Sequence, residues 1–159
     1  MANVDITKIL VAGSNRVKVY HKVVEAQPSS SETVTFTDSD LVTYLSNLGD
    51  IGAEKDTVEV ELYHLANKGK ITTGSTLTDL ELTEALTTDA LTEMREAYEN
   101  SSFMVTAIFD KNNKQVYGCF GQISKWGASL PLGSSVSELT YTIALSDDNI
   151  TCTQPSSGD

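Results

Sequence analysis

At 159 residues the chain fits one domain, and 40% apolar with 21% charged residues excludes wholesale disorder. Its longest aliphatic run, residues 9–12, is far short of a bilayer-spanning helix. Twenty-two acids against eleven bases give a net charge of −11, which argues against a nucleic-acid binder that draws affinity from neutralised phosphates.

That charge is unevenly spread. Residues 23–61 carry −8 and residues 71–110 carry −7, whereas residues 1–22, 62–70 and 111–137 are net basic. The alternation describes either a patchy solvated surface or complementary faces for association with other copies. The first residues show no basic stretch followed by an apolar run, the form of a secretory signal, so the expected product is soluble and made in the cytosol.

In chain order, residues 1–16 read as an N-terminal arm, 17–146 as a β domain and 147–159 as a flexible C-terminal tail. Residues 16–24 alternate, with Val17, Val19, His21 and Val23 on one face against Lys18, Tyr20 and Lys22. A Pro/Ser loop at 27–31 leads to a second alternating run at 33–37. Residues 41–48 suit a helical turn by their leucine spacing and a strand by their Thr, Tyr and Val content. Alternation returns at 57–65, and residues 66–75 (A-N-K-G-K-I-T-T-G-S) read as a polar loop, long for a hairpin connection.

Residues 76–85 predict a strand carrying Leu80 and Leu82. A helix follows over 88–99, where Ala90, Leu91, Met94, Ala97 and Tyr98 form one apolar stripe. Leu91, Met94 and Tyr98 are its expected packing residues, Thr88 or Asp89 its cap, and Glu93, Glu96 and Glu99 its wet face. An apolar strand at 103–109, a turn at 110–114 (D-K-N-N-K), a returning strand at 116–126, a loop at 127–134 and a last strand at 136–145 complete the series. The expected fold is mainly β, a sandwich or barrel of about seven strands with one flanking helix.

No motif of nucleophilic, metal or phosphate chemistry occurs, so no enzyme activity, cofactor or metal is expected. Cys119 and Cys152 with the distant His21 and His64 do not make a zinc set, and the two thiols read as one small buried residue and one near a loose terminus. Lys68-Gly69-Lys70 lacks the glycine-rich turn and helix start that hold phosphate, and reads as two exposed lysines. His64 at a strand end reads as a satisfied histidine. Paired acids such as Asp147 with Asp148, or Glu59 with Glu61, arise by chance in so acidic a chain.

The order of segments carries a resemblance. Residues 47–60 (N-L-G-D-I-G-A-E-K-D-T-V-E-V) enter a strand, followed by the Lys-Gly-Lys loop, the Leu80/Leu82 strand, a helix ending Tyr98-Glu99-Asn100 and a hairpin at Asp110-Lys111-Asn112-Asn113. Trp126 and a strand ending Tyr141-Thr142-Ile143-Ala144-Leu145 close the series. Over residues 17–146 this succession resembles the tail tube (major tail) proteins of long-tailed bacteriophages. The resemblance implies a subunit that forms hexameric rings through a shared inner β-barrel, the rings stacking into the hollow tail tube of a virion. It further implies a tape-measure protein in the lumen, tail terminator and tail-tip proteins as partners, DNA in transit without specific binding, and no membrane anchor. It assigns contact with the next ring to Asn67, Lys68, Gly69, Lys70, Ile71, Thr72, Thr73 and Gly74. The alternative reading is an immunoglobulin-like binding module of a surface or adhesion protein.

Overall fold

The structure, a computed structural model, describes residues 17–29, 31–42, 45–60 and 69–155. Over these residues it is mainly β with one α-helix, as the alternating segments require. The strands are β1 (Val17–Val24), β2 (Thr33–Thr35), β3 (Leu45–Leu48), β4 (Ala53–Val60), β5 (Gly69–Leu77), β6 (Leu80–Ala85), β7 (Phe103–Asp110), β8 (Gln115–Ser129), β9 (Glu138–Asp147) and β10 (Thr151–Thr153), with α1 (Thr88–Glu99) between β6 and β7.

Six strands form one sheet in the order β1-β7-β8-β9-β6-β3. Its two edges approach each other. Leu41 bridges to Tyr20 and the Val42 amide donates to the Val19 carbonyl at 2.9 Å, while β3 pairs antiparallel with β6. Residues 41–42 thus lie against β1 and residues 45–48 against β6, and the sheet curls toward a barrel. Of that ambiguous segment Leu45–Leu48 is strand, with Leu45 and Leu48 half-buried at its ends, and residues 43–44 lie outside the described residues.

The curl produces two cores. On the inner face Leu80, Leu82, Met104, Cys119, Leu139, Tyr141 and Ile143 are buried together with Met94 and Ala97 of α1. On the outer face Val105, Ala107, Phe109, Phe120 and Tyr20 are covered by the two-stranded sheet β2–β10 and by Phe36 and Ile150. Tyr20 stacks on Phe36 at 5.5 Å between ring centroids and meets Phe109 edge-on at 5.7 Å. The face of β1 that alternation assigns to solvent thus carries a buried tyrosine. Strand β7 is covered on both sides, which is why 103–109 reads as an almost unbroken apolar run.

Several boundaries depart from expectation. The Thr87 side chain, not Thr88 or Asp89, caps α1 by accepting from the Ala90 amide at 3.1 Å. The helix closes with the Ser102 amide donating to the Ala97 carbonyl and Ser101 in the left-handed region at φ 52. In the turn 110–114, Asp110 Oδ1 accepts from the Asn112 and Lys114 amides at 2.8 and 2.9 Å, and Asn113 takes φ 63. Strand β8 runs on to Ser129, into the predicted loop, because β9 pairs with it that far.

The stretch assigned to a flexible tail contains β10, parallel to β2, with Ile150 and Cys152 buried. Gln115 fastens it. Its Nε2 donates to the Ile150 carbonyl and its Oε1 accepts from the Cys152 amide, both at 2.8 Å. A Cβ on Gly118 would lie 2.6 Å from the Ile150 carbonyl oxygen, so only glycine lets the tail come this close. The N-terminal arm 1–16 and residues 156–159 lie outside the described residues.

Candidate functional site

Residues 53–60 and 69–77 form a separate two-stranded sheet, placed in the chain between β3 and β6, which are themselves neighbours in the main sheet. Strands β4 and β5 pair antiparallel from Ala53↔Leu77 to Val60↔Gly69, with an irregularity between Lys55 and Thr57. At about 3.4 Å per residue an eight-residue strand reaches roughly 27 Å, so this is an arm rather than a turn. The predicted loop at 66–75 is corrected accordingly: from Gly69 onward it is strand. Its two glycines and polar threonines conceal a run that gains its ladder only from β4, a partner one residue shorter with good alternation.

The arm has almost no core. Residues Ala53–Glu59 and Lys70–Thr76 are all exposed. Val58 and Ile71 are direct cross-strand partners and stay 47% and 57% exposed, while Glu59 stands opposite Lys70 in register. Of the residues assigned to the contact loop, Gly69, Lys70, Ile71, Thr72, Thr73 and Gly74 lie along β5; Asn67 and Lys68 lie outside the described residues, as does His64. A two-stranded ribbon without a hydrophobic face is marginal in water, so this arm has more to gain from a partner surface than from its own fold.

The helix stripe divides differently from expectation. Met94 is buried and Leu91 packs at the margin of the inner core, but Tyr98 is 43% exposed. Tyr98 lies one turn beyond Met94 and next to the buried Ala97, on the side of α1 that faces solvent. Arg95 lies over the Trp126 ring at 5.7 Å and 3.6 Å from Glu99. Beside it, Leu86, Leu91 and Leu130 line an open groove of about 440 Å³. Sequence reasoning missed the segment that follows. Leu130 and Val136 are 66% and 70% exposed and Leu132 is fully so, three apolar side chains on a Pro/Gly/Ser stretch. The available signal was leucine and valine within turn-forming residues, where no strand or helix period would bury them.

Titratable groups gather on the inner face. His21 Nε2 lies 3.9 Å from Glu84 Oε2, and the His21 ring meets Tyr141 edge-on at 6.2 Å. Burial pushes Glu84 up to about 7, helped by the charge of Glu93, and burial depresses His21 against the opposing pull of Asp40. Glu93 is itself raised, by burial and then by Asp40 and Glu96. Cys119 and Cys152 are free thiols, both buried, pushed up to about 12 and about 11 by burial, so neither is a ready nucleophile. Among the described residues no cluster of three or more His, Cys, Asp or Glu has a metal-holding arrangement, and no helix is long and apolar enough to cross a membrane.

No protein-family model and no curated protein matches the chain by sequence. Solved structures do share its fold. A chain of the sheath/tube terminator of an extracellular contractile injection system, in the extended state, superposes with a TM-score of 0.57 at 9% identity, over 89% of this chain and 96% of that one. A chain of the anti-feeding prophage baseplate gives 0.55 at 13% identity over 87% and 93%. One from the anti-feeding prophage cap, which terminates the tube, gives 0.53 at 8% over 89% and 91%. The fold is therefore shared over nearly the full length of subunits from phage-tail-like particles.

Proposed function

We propose that this chain is a structural, non-enzymatic subunit of a phage-tail-like particle, assembling with copies of itself into hexameric rings that stack as a hollow tube. The observation that carries the reading is the β4–β5 arm, a projecting ribbon with no core of its own and an exposed apolar pair, on a fold shared with tube-end and baseplate subunits. Strand β5, from Gly69 to Gly74, bridges one ring to the next, and the body of 17–146 forms the ring wall. A net charge of −11 suits a conduit that DNA crosses without adhering. The further partners in this reading are a tape-measure protein in the lumen and the terminator and tip proteins of a virion tail.

The test is deletion of the arm. Replacing residues 58–71 by a short Gly-Ser turn between Thr57 and Thr72 removes the exposed pair and keeps the base of the ribbon. Negative-stain microscopy of the concentrated wild type should show rings or tubes. The shortened variant should unfold at nearly the same temperature yet stop at monomers or single rings. Long tubes from the shortened variant would sink the arm's role. Dispersed wild-type monomers at every concentration would favour a binding module instead.

A further inference from the structure

The groove beside α1 has an apolar floor and an acidic rim. Leu86 and Leu91 are half-buried in it and Leu130 is 66% exposed, while Glu96 and Glu99 stand along its side with Arg95. Across Thr88–Glu99 four acids meet one arginine, a formal charge of −3. An occupant that suits both features joins aliphatic side chains to cations. Among the net basic stretches of this chain, residues 1–22 hold the longest aliphatic run in the sequence, residues 9–12, directly after Lys8 and with Ile6 before it.

The length of chain before β1 permits the contact. Sixteen residues precede Val17 in the sequence. His21, four positions into β1, has its Nε2 3.9 Å from Oε2 of Glu84, and Leu86 follows Glu84 by two positions. Even as a straight line that path from Val17 to Leu86 measures roughly 33 Å, the span of about ten extended residues, so the stretch around Lys8 reaches the groove. We propose that residues 4–12 occupy the groove beside α1 of their own chain, with aliphatic side chains on Leu86, Leu91 and Leu130 and Lys8 at the Glu96/Glu99 rim. The segment takes the leucines out of water and offsets part of the acidic charge. It does so in the isolated subunit, whatever assembly that subunit enters.

Trp126, the chain's single tryptophan, reports on the groove, because Arg95 of the groove wall lies over its ring. In a variant lacking residues 1–13, a synthetic peptide of residues 1–14, which has no aromatic side chain, should shift Trp126 emission to saturation, and a scrambled peptide should not. Glu96→Lys with Glu99→Lys should weaken the peptide about tenfold at low salt. In the full chain the α1 amides should exchange about tenfold more slowly than in the shortened variant, and to the same extent at low and high protein concentration. Exchange unchanged by the deletion, or an equal response to the scrambled peptide, would overturn the proposal. So would protection that grows with protein concentration, which would give the groove to a second copy. Should the shortened variant not fold, full-length Ile9→Asp with Leu10→Asp takes its place, and α1 amides exchanging there as slowly as in the wild type would overturn the proposal as well.

Discussion

The sheet body and the β4–β5 arm are built from similar alternating strands and obey opposite rules. In the body, Leu80, Leu82, Cys119, Leu139 and Ile143 are wholly buried and every central strand has two neighbours. In the arm, strands of comparable length bury almost nothing and have one neighbour each. At about 25 cal/mol per Å² of apolar area removed from water, the stability of the monomer resides in the body. The arm contributes little to folding and is free to serve association. On the proposed reading, stability and assembly are placed in different parts of one chain.

The sharpest way to break the comparison is to damage the body. Met94→Asp puts a charge where α1 meets the inner core and should cost about 4 kcal/mol or more, read as a large loss in urea denaturation or as insoluble protein. An unchanged unfolding midpoint would mean that α1 does not cover the sheet.

Next in size is the polar exception within the body. A carboxyl raised from 4.5 to about 7 in the folded state binds its proton more tightly there, so its stabilisation is present below pH 4.5 and is lost as pH rises through 7. His21, depressed by burial, acts in the other direction: its contribution is full above pH 6.5 and is lost as pH falls. Glu84→Gln should therefore gain on wild type from pH 4.5 to pH 7 and lead by about 3 kcal/mol at pH 8 in paired denaturation curves. A constant offset between the two across that range would contradict the shift.

Gln115→Ala should cost about 2 kcal/mol, because it leaves the Ile150 carbonyl and the Cys152 amide without their side-chain partner. Hydrogen exchange should speed up at 151–153 before anywhere else in the body. The smallest effect belongs to the arm. Val58→Ser with Ile71→Ser should change monomer stability by less than about 0.5 kcal/mol, since both side chains are already half in water. The same pair should lower the size of assemblies seen by light scattering. If it unfolds the protein, the arm belongs to the body and the division fails.

Much of the body was legible in the residues. Alternation marked β1, β6 and β9, a 3.6-residue stripe marked α1, and Asp110 with Asn113 marked the β7–β8 turn, because each signal is local and spans only neighbouring residues. The class of fold followed from the count and length of these pieces. What surrounds a strand is not local, and there the reading stopped. Tyr20 looks solvent-facing in its own segment and is buried because β2 and β10, from distant parts of the chain, cover that side of the sheet. Residues 147–155 look like loose chain and are held because a single glutamine amide and a missing Cβ at Gly118 receive them. Gly69–Leu77 looks like a loop, and a strand partner of matching length makes it an arm. The meeting of His21 with Glu84 has no trace in a sequence that sets them 63 positions apart, since only the curl of the sheet brings β1 and β6 to one place.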